Sequence, residues 1–177
     1  QTMGGTASTT FYNLIINNFM GVTLGNSITI SNILTLTSGN LRLGSYNLVL
    51  ASAASVSGTP SASNMVVATG TGVFRKMYSG AGSFTFPVGN HPMMTQYSPN
   101  TLDFTSGTFT SAYVDVSLSN TKHAENTSTT DYITRYWTID QSGISDFSCV
   151  VTCTYVDADV VGTEGNIYCG AWDGTSW

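Results

Sequence analysis

Leu14-Ile15-Ile16, Val22-Thr23-Leu24, Ile28-Thr29-Ile30, Leu34-Thr35-Leu36, Leu41-Arg42-Leu43 and Leu48-Val49-Leu50 are six apolar triplets separated by short Asn, Gly and Ser links. Every third triplet starts 19 or 20 residues further on, from Leu14 to Leu34, Val22 to Leu41 and Ile28 to Leu48. Three short strands per ~20 residues is the period of a solenoid coil. In most triplets the outer residues are aliphatic and the middle one is Thr or Arg, so strand alternation turns two side chains inward and one outward. The few inward side chains of one coil make no core alone, and the coils must stack to bury them.

The pattern continues less regularly. Ala54-Ser55-Val56, Met65-Val66-Val67 and Val73-Phe74-Arg75 follow Leu34, Leu41 and Leu48 by 20, 24 and 25 residues. An insert around Thr59-Pro60-Ser61 accounts for the longer spacing, because a Pro-containing bulge can leave a coil without disturbing its stacking. About three coils result, near the minimum for a stable solenoid. The outward positions then read Ile15, Thr35 and Ser55 on one face, Thr23, Arg42 and Val66 on the next, and Thr29, Val49 and Phe74 on the third. None is a regular Thr ladder, which argues against an ice-binding surface. Residues 1–10 are uncharged and either cap the first coil or pair with a neighbouring molecule.

Ser79-Gly80-Ala81-Gly82-Ser83 marks a boundary. Residues 1–78 are expected to form a short, three-strand-per-turn β-solenoid with an N-terminal arm. Residues 79–177 carry longer runs at 84–88, 101–105, 113–118, 133–139, 147–155 and 166–172, split by Gly, Asn, Ser and Pro clusters. Six such strands predict an immunoglobulin-like antiparallel β-sandwich. Alternation is clean where Tyr113, Asp115 and Ser117 oppose Val114, Val116 and Leu118. Helical periodicity is absent, so the fold class is all-β.

Only 8% of the 177 residues are charged, against a typical quarter. Solubility rests on hydroxyls and amides, a surface suited to an extracellular protein. With a net charge of −5 and five scattered basic residues, nucleic acid is excluded as the main partner. No run reaches the ~18 apolar residues of a membrane span, and residues 1–10 do not read as a signal peptide. The chain begins without Met and ends in Trp172-Asp173-Gly174-Thr175-Ser176-Trp177, which reads as a strand, a turn and the first residue of another strand. A processed product or an internal fragment is expected, and Gln1, Phe11 and Trp177 become candidate assembly residues.

Signatures of chemistry are sparse. There is no nucleophile elbow, zinc-protease motif, phosphate loop or dinucleotide fingerprint, and the two histidines, His91 and His123, sit in expected loops. No catalytic residue and no cofactor is assigned. Asp157, Asp159 and Glu164 could converge on Ca²⁺, or form a solvated turn. Cys149 and Cys153 share a strand face but lie ~13 Å apart by strand rise, too far to bond. Either could reach Cys169, with Cys153–Cys169 the candidate disulfide, or all three could be buried free thiols. Tyr132, Tyr136, Trp137, Tyr155, Trp172 and Trp177 could build a sugar-stacking platform or face the core, as Trp137 is expected to do. Arg135 is expected to pair with an acidic neighbour such as Asp131.

The blocks Phe11-Tyr12-Asn13-Leu14-Ile15-Ile16-Asn17-Asn18 and Leu34-Thr35-Leu36-Thr37-Ser38-Gly39-Asn40-Leu41 resemble repeats of large secreted and surface-anchored, type IX secretion-associated proteins of Bacteroidota. So do Phe86-Pro87-Val88-Gly89, Tyr97-Ser98-Pro99, Asp131-Tyr132-Ile133-Thr134-Arg135-Tyr136-Trp137 and Asp159-Val160-Val161-Gly162-Thr163-Glu164. The resemblance implies an exported, non-enzymatic building block of adhesin-like or filament-forming surface proteins. Its expected partners are copies of itself or adjacent repeats of a longer chain, with surface glycans second. A carbohydrate-binding module of a secreted glycan-degrading protein is the alternative.

Overall fold

Strands form where aliphatic residues alternate with polar ones, and the Asn and Gly between them turn the chain through corners. The computed structural model describes residues 1–91 and 95–177. Its strands are β1 (Thr2–Met3), β2 (Thr9–Asn17), β3 (Val22–Leu24), β4 (Ile28–Ser38), β5 (Leu41–Arg42), β6 (Leu48–Leu50), β7 (Ser55–Gly58) and β8 (Val66–Val67). There follow β9 (Phe74–Tyr78), β10 (Gly82–Phe86), β11 (Val88–Asn90), β12 (Gln96–Tyr97), β13 (Asn100–Ser119), β14 (Tyr132–Ile133), β15 (Tyr136–Cys153) and β16 (Val160–Val161). The protein is all-β and is built on a β-solenoid of about four turns.

Each coil contributes to three walls. On the first, β1, β3, β5, β8 and β11 run parallel, with Thr2, Thr23, Arg42, Val67 and Gly89 in one column. On the second, residues 9–11 of β2 and 28–30 of β4 stack with β6 and β9; on the third, residues 13–17 and 33–38 stack with β7. Inward columns such as Val22, Leu41, Val66 and Val88, or Ile28, Leu48 and Phe74, are buried in one continuous core. The corners are stitched by asparagines. The side-chain carbonyls of Asn13, Asn40 and Asn47 accept hydrogen bonds from the backbone N–H of Ile33, Met65 and Val73, one coil further on. At the Gly39 corner φ is +79°, and a Cβ would overlap the Asn18 carbonyl of the preceding coil.

The first-to-second coil register follows the triplet spacing, pairing Leu14 with Leu34, Val22 with Leu41 and Ile28 with Leu48. The next coil is displaced from that expectation. Leu34 pairs with Val56, Leu41 with Val66 and Leu48 with Phe74, because corner insertions add one or two residues before each strand. The expected outward residues Ser55, Val66 and Phe74 are therefore replaced by Ser57, Val67 and Arg75, and Phe74 is wholly buried. Residues 1–10 are no separate arm. They supply β1 and the start of β2, which are rungs of the first coil.

The immunoglobulin-like sandwich expected over 79–177 is not what the strand pairing forms. The glycine-rich link at 79–83 is a coil corner, after which β10 and β11 complete a fourth coil. The expected strands at 101–105 and 113–118 are one 20-residue strand, β13, and those at 133–139 and 147–155 merge largely into the 18-residue β15. β13 runs antiparallel to both β9 and β10, and β15 antiparallel to β13, so both extend the solenoid sheet rather than face it. Their middles bulge around the corner, with Gly143, Ser111 and Asp146 at positive φ. Residues 166–172 form no strand beyond the short helical turn Glu164–Asn166.

A lysine is buried where the coils give way to this hairpin. Lys76 lies in the inward column with Ile30 and Leu50, and its ammonium donates to the carbonyls of Ala51 and Ser52 at 2.7 and 2.6 Å. Among the described residues no carboxylate pairs with it, and burial pushes its pKa down to about 8. One layer outward, Arg75 forms a fork to Asp115 with both bonds at 2.7 Å and lies 3.7 Å above the Tyr113 ring.

The displaced register is checked by urea unfolding. Phe74→Ala is expected to cost ~3–5 kcal/mol through the cavity it leaves. The outward Val49→Thr on the same wall should cost less than about 1 kcal/mol. Similar effects at the two positions would contradict the register.

Candidate functional site

A β-sheet strand at an edge leaves half of its backbone donors and acceptors without a partner in the sheet. β2 and β15 are the long edges of the larger sheet, each paired on one side only, and the short β7 and β10 are likewise paired on one side only, with β4 and β13. Among the described residues, no backbone hydrogen bond outside the ladders with β4 and β13 reaches β2 or β15. Natural proteins protect such edges with Lys, Pro or a covering element. β2 has no charge and no Pro, and β15 carries only Asp140 and Asp146.

Both ends also leave core rungs incompletely covered. Met3, Phe11 and Leu14 are partly buried at the first coil; Trp137, Ile139 and Cys149 are partly buried on β15. Val151 shares the inward face with its partner Leu102, yet is 49% exposed because no further layer lies beyond it. Tyr12, Ile15, Phe19 and Met20 make the first coil apolar outside as well, at 64–87% exposure. Fully covering one aliphatic or aromatic side chain contributes ~1.5–3 kcal/mol, so a layer added at either end has a driving force beyond its hydrogen bonds.

The first wall, by contrast, is closed internally by Arg135. Its guanidinium donates from Nε to Asp159 Oδ2 at 2.6 Å and from Nη2 to Asp159 Oδ1 at 2.9 Å. Nη2 also meets Asn90 at the end of β11, Gln96 on β12 and Asn120 after β13. Asp159 is presented by the helical turn Asp157–Asp159 and also accepts from Val156 N–H. Both partners are buried, the Arg135 side chain completely. Arg135 was expected to pair with Asp131, which instead accepts from the Thr130 hydroxyl and the Thr163 backbone.

The other expected sites are distributed. Asp157, Asp159 and Glu164 do not converge: Asp159 is engaged by Arg135, and Glu164 accepts from the Tyr155 hydroxyl. Among the described residues no group of three His, Cys, Asp or Glu side chains could hold a metal ion. Cys149, Cys153 and Cys169 are free thiols, so the Cys153–Cys169 disulfide is not formed. Burial, opposed by a hydrogen bond from Asn100, pushes the Cys153 thiol up, and nearby Cys169 adds to the shift. Gln1 lies in the first coil, accepting from Thr23 N–H and from Asn18. Phe11 packs against the core. Trp177 starts no strand. It folds back against His123 and Trp172, at 5.1 and 5.5 Å between ring centroids, and donates to the Glu125 carbonyl. Tyr136 completes that cluster beside His123, while Trp137 turns into the core and donates to Ser98 O. His91 lines a shallow cleft with Phe19, Asn40 and Arg42, and no carboxylate lines it among the described residues.

Sequence reading missed the β15 edge, because Ser142-Gly143 and Ser145-Asp146 look like hairpin turns but are corner bulges. It also missed the Arg135–Asp159 pair, whose 24-residue separation carries no local signal.

The closure is tested by unfolding. Arg135→Ala leaves a buried carboxylate unpaired and is expected to cost ~3–5 kcal/mol. Arg135→Met combined with Asp159→Leu should cost less than the sum of the two single changes; strict additivity would contradict a direct pair.

Comparison with family models, with curated proteins and with solved structures finds no match to this chain.

Proposed function

We propose that this chain is a non-enzymatic structural module of an extracellular or cell-surface fibre or adhesin. It associates with further copies, or with adjacent repeats of a longer chain, through the open ends of its β stack. The observation that carries this reading is the pair of long edges, β2 and β15, at opposite ends of one sheet, neither guarded by Lys or Pro. Association at two different surfaces is heterologous and need not close, so it builds filaments. The low charge content and the motif blocks resembling Bacteroidota surface repeats support the extracellular setting.

A second reading, glycan binding, is favoured by one observation. Tyr136, His123, Trp172 and Trp177 gather on the surface, with Trp177 56% exposed. Their rings meet edge-on or tilted, so much of their area is used on one another, which ranks this reading second.

Electron microscopy and sedimentation of concentrated protein test the first reading. Filaments or long oligomers are expected, and Ile15→Lys with Val150→Lys, both at exposed edge positions, should abolish them while changing stability by no more than ~0.5 kcal/mol each. Persistent monomers, with reproducible glycan-array binding lost in Trp177→Ala, would overturn it in favour of the second.

A further inference from the structure

Side-chain columns run unbroken across the second wall, through the coils and into the hairpin. One holds Thr9, Ile28, Leu48, Phe74, Val116 and Ile139. The next holds Thr10, Thr29, Val49, Arg75, Asp115 and Asp140, and the third ends with Val114 beside Gln141 where it began with Phe11 beside Ile30. Direction is recovered as well. β13 opposes β9 and β15 opposes β13, so β15 points the same way as β2, β4, β6 and β9. The hairpin has reversed the chain twice and restored the polarity of a coil strand.

The geometry points to a second copy of this chain as the partner of β15, seated with its β2 parallel to β15 and its Thr9, Thr10 and Phe11 beside Ile139, Asp140 and Gln141. The joint rests on the structural-module reading above and gives it a surface, a polarity and a register. A copy shifted along the stack without rotation to the opposite direction meets the pairing sense already used between β2 and β4. On the third wall the incoming Leu14 and Ile16 face the side that carries Cys149 and Val151, which supplies apolar cover for both. Charge separates this joint from its rivals. β2 is uncharged, so it brings no repulsion to Asp140 and Asp146, whereas two β15 edges paired with each other would set four carboxylates in one ribbon. Pairing β2 with β2 would leave β15 uncovered. Each joined copy presents a fresh β15, and growth continues.

Disulfide trapping tests the register. In a background with Cys149→Ala, Cys153→Ala and Cys169→Ala, Thr10→Cys and Asp140→Cys are introduced together. Parallel neighbours lie ~4.8 Å apart, within the ~4.4–6.8 Å span a disulfide tolerates. Oxidation of concentrated protein should give a reducible ladder of trimers and longer species, with either single variant remaining monomeric. Covalent dimers from one single variant would overturn the joint in favour of like-with-like edges. Loss of the ladder while wild-type filaments persist would overturn the joint and leave the structural reading standing; loss of both would overturn both. A charge exchange in the native-cysteine chain gives an independent check at two exposed positions. Thr10→Asp should raise the concentration needed for assembly about tenfold, and adding Asp140→Lys should restore it. Assembly by Thr10→Asp equal to wild type would overturn the register.

Discussion

Backbone hydrogen bonding between stacked coils requires a layer on both sides of every strand, and each layer of this protein meets that requirement or fails it in a defined way. β4, β6 and β9 lie between neighbours on the second wall, and β13 lies between the fourth coil and β15. The inward columns and the corner asparagines then follow, since side chains in register across a ladder must stack on their own kind or fill each other's gaps. The same requirement makes the ends of the stack unlike its middle. A coil cannot satisfy its outer face by itself, and β2 and β15 are where most of that deficit is left, with the short β7 and β10 also paired on one side only.

Two buried cations stand where the regular stacking changes. Lys76 occupies a position filled by Ile30 and Leu50 in the preceding coils, at the seam where β7 and β10 are not paired with one another. Its ammonium donates to the Ser52 carbonyl and to the Ala51 carbonyl, which also accepts from Ala54 N–H at the corner. Burial disfavours the charged form even so, and lowers the Lys76 pKa to about 8. Arg135 does a related task on the first wall, gathering β11, β12, the end of β13 and the Asp157–Asp159 turn around one guanidinium. The planar guanidinium reaches four side-chain acceptors at once through Nε and Nη2, while Nη1 is buried without a hydrogen-bond partner among the described residues. The first wall therefore ends in an internal closure, while the second and third walls end in open strands.

Much of the solenoid was readable because its information is local. The 19- and 20-residue spacing of triplets carries both the period and the inward face, and the first two coils pair as that spacing requires. Register slipped in the third coil because a one-residue insertion at a corner inverts inside and outside along a strand, as Phe74 and Arg75 illustrate. The hairpin was harder. Gly107, Gly143 and Asp146 carry turn chemistry, and a corner within a long bent strand uses the same residues as a turn between two short ones. Splitting β13 and β15 produced the strand count of a sandwich. Of the three residues expected to take part in assembly, Gln1 and Phe11 belong to the first coil, whereas Trp177 is folded into an aromatic cluster and starts no strand.

An account in which function resides in two unfinished edges makes a demand on their amides. Hydrogen exchange resolved to individual amides, measured in dilute and concentrated solution, tests it most directly. In the dilute monomer the outward-facing amides of β2 and β15 should exchange far faster than those of β4, β6, β9 and β13, and on concentration both edges should gain protection together. Edges already as protected as the interior in the monomer, or edges that stay unprotected as concentration rises, would contradict it.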